Sequence, residues 1–135
     1  MQKTRKPLPE DHRFCTMCGW ANPHSLGLVF EQDRHGAVHA EFRGDDSFQG
    51  HEGILHGGIL SALLDTAMAQ CLLHQNIKAL TGELNVRYLQ PVPSSSKLHI
   101  KAWIESSLPP LYHLRSYIKV DGTLFCKGRG RFMKL

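Results

Sequence analysis

Apolar residues recur at helical spacing in one long stretch of the sequence, about residues 57–75. The apolar positions in it are Ile59, Leu60, Leu63, Leu64, Ala67, Met68, Cys71 and Leu72. This spacing predicts a single long helix with a broad apolar face. On both sides of it the period is close to two, which predicts strands over residues 28–32, 37–43, 79–89, 97–105, 112–120 and 123–135.

Turn residues separate the predicted strands. The segments DRHG at 33–36 and DG at 121–122 favour hairpins, and QPVPSSS and SLPP divide the remaining strands. The order is two strands, one helix and four strands, without the strand–helix–strand alternation that a parallel sheet requires. We therefore predict an α+β domain in which one long central helix packs on a mostly antiparallel sheet.

The length of 135 residues predicts one domain. We expect residues 1–14, which are polar and contain two prolines, to form a flexible arm, and residues 15–135 to form the domain. No run approaches the roughly 18–20 apolar residues of a membrane span, and no apolar segment follows the basic N-terminus. These features predict a cytoplasmic protein without a membrane partner.

The formal charge of +4 is mild and is spread along the chain. It suits an anionic small molecule better than nucleic acid, which calls for a basic stripe with interleaved aromatic residues. The densest basic cluster consists of Lys127, Arg129, Arg131 and Lys134. These residues fit strand ends that face solvent, or contacts to a substrate that carries phosphate. We expect no nucleic-acid partner.

The chain has four cysteines, Cys15, Cys18, Cys71 and Cys126. The first two form a CxxC pair, and together with His12 and His24 they could be drawn as a zinc site. Structural zinc sites usually show a second tight pair of ligands, and this sequence has none. We therefore expect no metal and a reducing compartment, with the two later cysteines as small core residues.

Three residues of the predicted helix are not explained by packing. Gly57 and Gly58 each cost about 1 kcal/mol relative to alanine inside a helix, which favours a position at its first turn. Asp65 lies in an apolar stripe, where a carboxylate is costly unless it has a chemical task or a structural partner such as Arg87. The start and the middle of the helix are therefore both shaped by something other than packing.

Three segments together carry a resemblance to a known family. These are GHEGILHGGILSALLDTAMA, then TGELNVRYLQPVP, and upstream CTMCGWANPHSLGLVF. From about residue 15 to residue 134 the chain resembles the PaaI-like branch of the hotdog-fold acyl-CoA thioesterases, in the 4-hydroxybenzoyl-CoA thioesterase superfamily. The resemblance implies a sheet wrapped around a central helix, assembly into dimers or dimers of dimers, and an acyl-CoA substrate bound between two subunits. No cofactor is expected.

The resemblance also implies roles for individual residues. Asp65 matches the catalytic acid, as base or nucleophile, and Thr81 matches a Ser or Thr that hydrogen-bonds the acid or its water. The backbone N–H groups of Gly57 and Gly58 would stabilise the oxyanion at the positive end of the helix dipole. We expect His56 to shape the turn rather than to act as the base.

The loop before the helix departs from the family pattern. Where many relatives carry an Asn that orients the water, this chain reads QGHEG, so that either Glu52 or His51 substitutes or the water is held differently. The candidate substrate-binding residues are His51, Ser61, Asn85, Arg87 and Arg129. A non-catalytic module that binds an acyl ligand on the same fold is the alternative function.

The helix geometry indicates that a site would need two chains. Asp65 lies seven residues beyond Gly58, or about 10 Å along one helix. A base and an oxyanion hole must both lie about 3 Å from one reacting group. Two antiparallel helices in a two-fold dimer would bring each Asp65 to the other helix's N-terminus.

Overall fold

The computed structural model describes residues 7–135 and has the predicted α+β architecture. Helix α1 covers Gly57–Leu73. The strands are β1 (Glu31–Gln32), β2 (Val38–Arg43), β3 (Ala79–Tyr88), β4 (Lys97–Leu108), β5 (Leu111–Val120) and β6 (Thr123–Lys134). Short 3-10 turns lie at Glu10–His12 and Asp46–Phe48.

The six strands form one antiparallel sheet in the order β1-β2-β4-β5-β6-β3. The hairpins predicted at DRHG and DG are present, the second with positive φ angles of 50° and 81° at Asp121 and Gly122. Strand β3 follows the helix in sequence but pairs with β6, the last strand. It therefore lies at one edge of the sheet.

The first predicted strand is shorter than expected. Only Glu31 and Gln32 pair with β2, although the prediction began at residue 28. The Leu28 N–H instead donates to the carbonyl of Met17, at 3.0 Å, and the Leu26 N–H donates to the carbonyl of Thr16. The backbone of this segment is thus satisfied by the N-terminal segment rather than by the sheet.

Part of the predicted N-terminal arm contacts the domain. Asp11 forms an ion pair with Lys78, at 2.5 Å, and Leu8 packs against the core. The other residues of that prediction, 1–6, lie outside the described residues.

Helix α1 covers one face of the sheet and contacts strands β2 to β6. It lies close to β6 because that strand carries glycine where its side chains would face the helix. A Cβ at Gly128 would lie 3.5 Å from Leu64 and 2.8 Å from Ser116 Oγ, and one at Gly130 would lie 3.0 Å from Met68. Glycine at these positions allows the helix and the strand to approach closely.

The β1–β2 hairpin is organised by a buried carboxylate. Asp33 Oδ1 accepts hydrogen bonds from the N–H groups of His35 and Ala37, and Oδ2 contacts His39 Nε2 at 2.8 Å. Burial by itself raises the pKa of Asp33, but the hydrogen bonds from these three residues outweigh it and hold the pKa below its usual value. The ionised carboxylate therefore stabilises the folded chain.

We expect Asp33→Ala to lower the free energy of unfolding by about 1–3 kcal/mol, because it removes the acceptor of buried hydrogen bonds. The depressed pKa sets the pH dependence. The ionic part of this contribution is present above the unfolded-state pKa of about 3.9 and is lost as the pH falls through the folded-state pKa. Urea denaturation from pH 7 downward measures both effects.

The matched control for Asp33→Ala is Glu41→Gln, at an exposed ion pair with Lys97, which should change stability by less than about 1 kcal/mol. If Asp33→Ala unfolds with the same free energy and the same acid dependence as the parent, the carboxylate does not organise the hairpin.

Candidate active site

The structure brings Asp65 and Thr81 together. Asp65 lies half-buried on α1, and the Thr81 hydroxyl on β3 donates to its Oδ1 at 2.7 Å. A hydroxyl that donates to one oxygen orients the carboxyl group and leaves the other oxygen available to a further donor. Arg87, the alternative partner of Asp65, lies on the opposite face of β3 and does not contact it.

The first turn of α1 has a cap that sequence reasoning did not specify. His56 is the N-cap residue, and its Nδ1 accepts the Gly58 N–H at 2.8 Å. The expectation that both glycine amides face a ligand is therefore revised. Within residues 7–135 no acceptor takes the Gly57 N–H, which is one of the amides that a helix start leaves without an intrahelical partner.

Tyr88 is a site residue that the sequence analysis missed. Its hydroxyl donates to the carbonyl of Gly57 at 2.9 Å and forms a short hydrogen bond with Ser61. The period-two pattern of β3 placed Tyr88 on the same face as Leu84, but nothing in it indicated that the ring reaches the helix start. Ser61 is thereby confined beside Gly57.

These contacts fix the relative direction of two elements. The start of α1 lies beside the end of β3, through Gly57 and Tyr88, and Asp65 lies beside the start of β3, through Thr81. Helix α1 and strand β3 therefore run antiparallel. The Asp65 carboxylate and the Gly57 amide lie at opposite ends of this edge, about 12 Å apart along the helix.

The loop before the helix forms an open depression of about 460 Å³ at the start of α1. Its lining includes His51, Ile54, His56 and Gly57 but not Glu52. Both His51 and Glu52 are exposed. Of the two predicted substitutes for the family's Asn, His51 is thus the one that lines the same depression as Gly57.

Three of the predicted substrate-binding residues lie elsewhere. Asn85, Arg87 and Arg129 are cross-strand neighbours on the face of the sheet turned away from α1. They line a cavity of about 410 Å³ together with Trp103, Arg115, Tyr117 and Lys127. The sheet separates this basic cavity from Asp65, because residues of β3 alternate between its two faces.

Cys18 does not have the features of a catalytic thiol. Burial, reinforced by Cys15, raises the pKa of the Cys18 thiol to about 12, and a hydrogen bond from Gln70 acts in the opposite sense. A reactive cysteine needs a lowered pKa and access. Burial likewise raises the pKa of Cys71 to about 12 and that of Cys126 to about 11, which fits their predicted place in the core.

Comparison with known proteins shows which family and which structures the chain resembles. Residues 52–107 match a sequence model described as the thioesterase superfamily. The chain has the hotdog fold, in which one long helix packs on an antiparallel sheet. The segment matched includes the helix with its glycines and Asp65, the edge strand β3 and most of β4.

Two solved hotdog structures share the fold. The E. coli PaaI protein from the phenylacetic acid degradation operon superposes with a TM-score of 0.74 at 18% identity, over 82% of this chain and 80% of that one. A hypothetical thioesterase protein from Streptococcus pneumoniae, solved with coenzyme A, superposes with a TM-score of 0.75 at 20% identity, over 80% and 85%. The predicted resemblance to hotdog-fold thioesterases is confirmed.

Curated relatives include acyl-coenzyme A thioesterase THEM4. The Bos taurus protein is 26% identical over 110 residues, which are 80% of this chain and 45% of that protein. The Mus musculus protein is 28% identical over 64 residues, or 47% of this chain and 27% of that protein. The chain thus spans less than half the length of the curated relatives it matches. No helix among residues 7–135 is long and apolar enough to cross a membrane.

We expect substitutions of the two glycines at the helix start to have different effects on the stability of the protein. A Cβ at Gly57 would lie 3.6 Å from the Tyr88 ring, an ordinary contact, so Gly57→Ala should keep the stability or raise it by up to about 1 kcal/mol. A Cβ at Gly58 would lie 3.0 Å from the His56 ring and would displace the cap, which costs about 1 kcal/mol. Chemical denaturation of both variants measures the difference, and equal stabilities would contradict the assigned cap.

Proposed function

We propose that this chain hydrolyses acyl-CoA thioesters. The observation that carries the proposal is the Asp65 carboxylate, held by Thr81 at the sheet edge, on the same helix whose first amide, Gly57, has no acceptor among the described residues. A thioester hydrolase requires such a pair, a base for water and a donor for the developing oxyanion. The named thioesterases among the relatives support the same class.

In the proposed reaction the oxygen of a water molecule attacks the thioester carbonyl carbon, while Asp65 accepts a proton from that water. The carbonyl oxygen becomes negative and accepts a hydrogen bond from the Gly57 N–H, at the positive end of the α1 dipole. When the tetrahedral intermediate collapses, the carbon–sulfur bond breaks and the sulfur leaves, taking the proton back from Asp65. The products are a carboxylic acid and the free thiol of CoA.

Thr81 has a positioning role in this proposal. Its hydroxyl donates to Asp65 Oδ1, which fixes the carboxylate and directs Oδ2 toward the water. His51 lines the same depression as Gly57. We expect its side chain to contact the substrate carbonyl or the water.

Each site is proposed to use two chains. Asp65 and Gly57 of one helix lie too far apart to act on one carbonyl, as their separation of about 12 Å shows. Strand β3 has ten residues and pairs with β6 on one side only, and its edge exposes Leu80, Leu84 and Tyr88 by 61%, 36% and 49%. A long unpaired edge of this kind is a template for another strand.

Pairing two β3 strands antiparallel about Asn85 would satisfy both requirements. Tyr88 follows Asn85 by three ladder positions, and Thr81 precedes it by three, because the bulge between Thr81 and Glu83 adds one residue. Thr81 of one chain would therefore lie opposite the partner's Tyr88. Because Tyr88 contacts Gly57 and Thr81 contacts Asp65, each Asp65 would then approach the partner's Gly57. A two-fold dimer would contain two equivalent sites.

The test of Asp65 is Asp65→Asn, which should lower thioester hydrolysis by about 10²–10⁴-fold while the chain remains folded, because it removes the base but keeps the shape. Release of free thiol from a panel of acyl-CoA thioesters of different chain length measures the rate. Asp121→Asn, in the β5–β6 turn, is the matched control and should keep the parent rate.

Two outcomes would contradict the proposed hydrolysis. If Asp65→Asn cleaves the parent's substrates at near the parent rate, the carboxylate is structural. If the parent binds acyl-CoA but releases no thiol with any thioester in the panel, the chain is a binding module.

The shared site is tested by mixing two inactive chains, Asp65→Ala and Gly57→Val. A mixed dimer would hold one doubly damaged site and one intact site. At random assembly half of the dimers are mixed, so about a quarter of the parent activity should return. Asp65→Ala mixed with Asp65→Asn is the control and should stay inactive. Mixed dimers that are recovered by two-tag purification and yet remain inactive would place the site within one chain.

A further inference from the structure

Three metal-ligating side chains converge in the N-terminal segment. One ring nitrogen of His12 and the Sγ atoms of Cys15 and Cys18 lie within 4.8 Å of one another. Four-coordinate zinc with sulfur at about 2.3 Å and nitrogen at about 2.0–2.1 Å holds its ligand atoms about 3.6–3.8 Å apart. The cluster is therefore within about 1 Å of the required spacing. His24, the other histidine considered from the sequence, does not belong to it.

The backbone builds this cluster locally. The Cys15 N–H donates to the His12 carbonyl, at 3.0 Å, and the Gly19 N–H donates to the Cys15 carbonyl, at 2.9 Å. The Met17 N–H donates to Cys15 Sγ, at 3.4 Å, which orients that sulfur. A Cβ at Gly19 would lie only 2.5 Å from the Cys15 nitrogen, so this tight turn excludes a side chain.

One atom of the cluster indicates that a partner belongs there. Nδ1 of His12 is buried and has no hydrogen-bond partner among the described residues. A buried ring nitrogen without a partner costs free energy, since water no longer solvates it. Coordination through Nδ1 would satisfy it.

We propose that His12, Cys15 and Cys18 bind one Zn²⁺ ion that fixes the turn they form, the turn that brings Cys18 into the core. Imidazole and thiolate together select zinc over the harder cations. Binding would release the two thiol protons to solvent, so the ion and its two thiolates carry no net charge, which suits a site with two half-buried ligands and one buried ligand. Water takes the fourth position. This proposal revises the expectation from the sequence that no metal is bound.

The site is structural and independent of the proposed hydrolysis. Cys18 contacts Gln70 of α1. Gln70 is five residues after Asp65, which places the two side chains about 140° apart around the helix. The metal would therefore lie on a different side of α1 from the carboxylate.

The test begins with the full chain, purified with reductant and without chelator, and its zinc content is measured by plasma mass spectrometry. We expect stoichiometric zinc. Replacement of zinc by Co²⁺ should give the thiolate-to-cobalt charge-transfer band and the visible bands of tetrahedral cobalt. Zinc should also protect Cys15 and Cys18 from alkylation, a readout that needs no variant, and should raise the melting temperature by about 5 °C or more.

The variants Cys15→Ser and His12→Asn should lose the cobalt band, and His24→Asn is the matched control that should keep it. Circular dichroism shows whether each variant is folded. Three results would each overturn the proposal: absence of a thiolate–cobalt band at excess Co²⁺ under reducing conditions, a Cys15–Cys18 disulfide in the purified chain, or unchanged zinc in folded Cys15→Ser and His12→Asn.

Discussion

The close packing of helix α1 against strand β6 determines where every other group of the site lies. Leu64 and Met68 form one row of the helix and fill the space left by Gly128 and Gly130. Successive helical residues are about 100° apart, so the adjacent row turns toward the next strand. That strand is β3, and the row contains Ser61 and Asp65. Asp65 meets Thr81, and Ser61 meets Tyr88, as a consequence of this packing.

The sequence predicted the elements that have a strong periodic signal. Helix α1 begins at the predicted Gly57 and ends two residues early, and four of the six strands match within one residue at either end. The strand order could not be predicted, because the pairing of β3 with β6 joins distant segments. The glycines of β6 carried no local signal either. Their meaning emerges only when Leu64 and Met68 are placed against them.

The candidate site, like the fold, could be predicted from the sequence only in part. Local chemistry pointed to Asp65 and Gly57, and the family resemblance pointed to Thr81. The structure brings Asp65 and Thr81 into contact. The sequence pattern could not indicate which face of β3 meets the helix, because the side chains of a strand alternate between its two faces. Asn85, Arg87 and Arg129 therefore lie across the sheet from Asp65. A substrate at the helix start would have to pass the sheet edge to reach them, and a paired β3 would close that edge.

The N-terminal segment has a different physical problem from the sheet. Residues 13–28 are held together by a few backbone hydrogen bonds within the segment, such as Leu26 to Thr16 and Leu28 to Met17, and by no strand ladder. The sheet therefore adds little to the stability of this segment. A local cross-link would lower the conformational entropy of the unfolded segment, and so would stabilise its folded form more than another surface contact could. Cys18 already lies in the core cluster beside α1. A zinc ion at this point would fix the turn that brings Cys18 to the core, on a different side of α1 from Asp65.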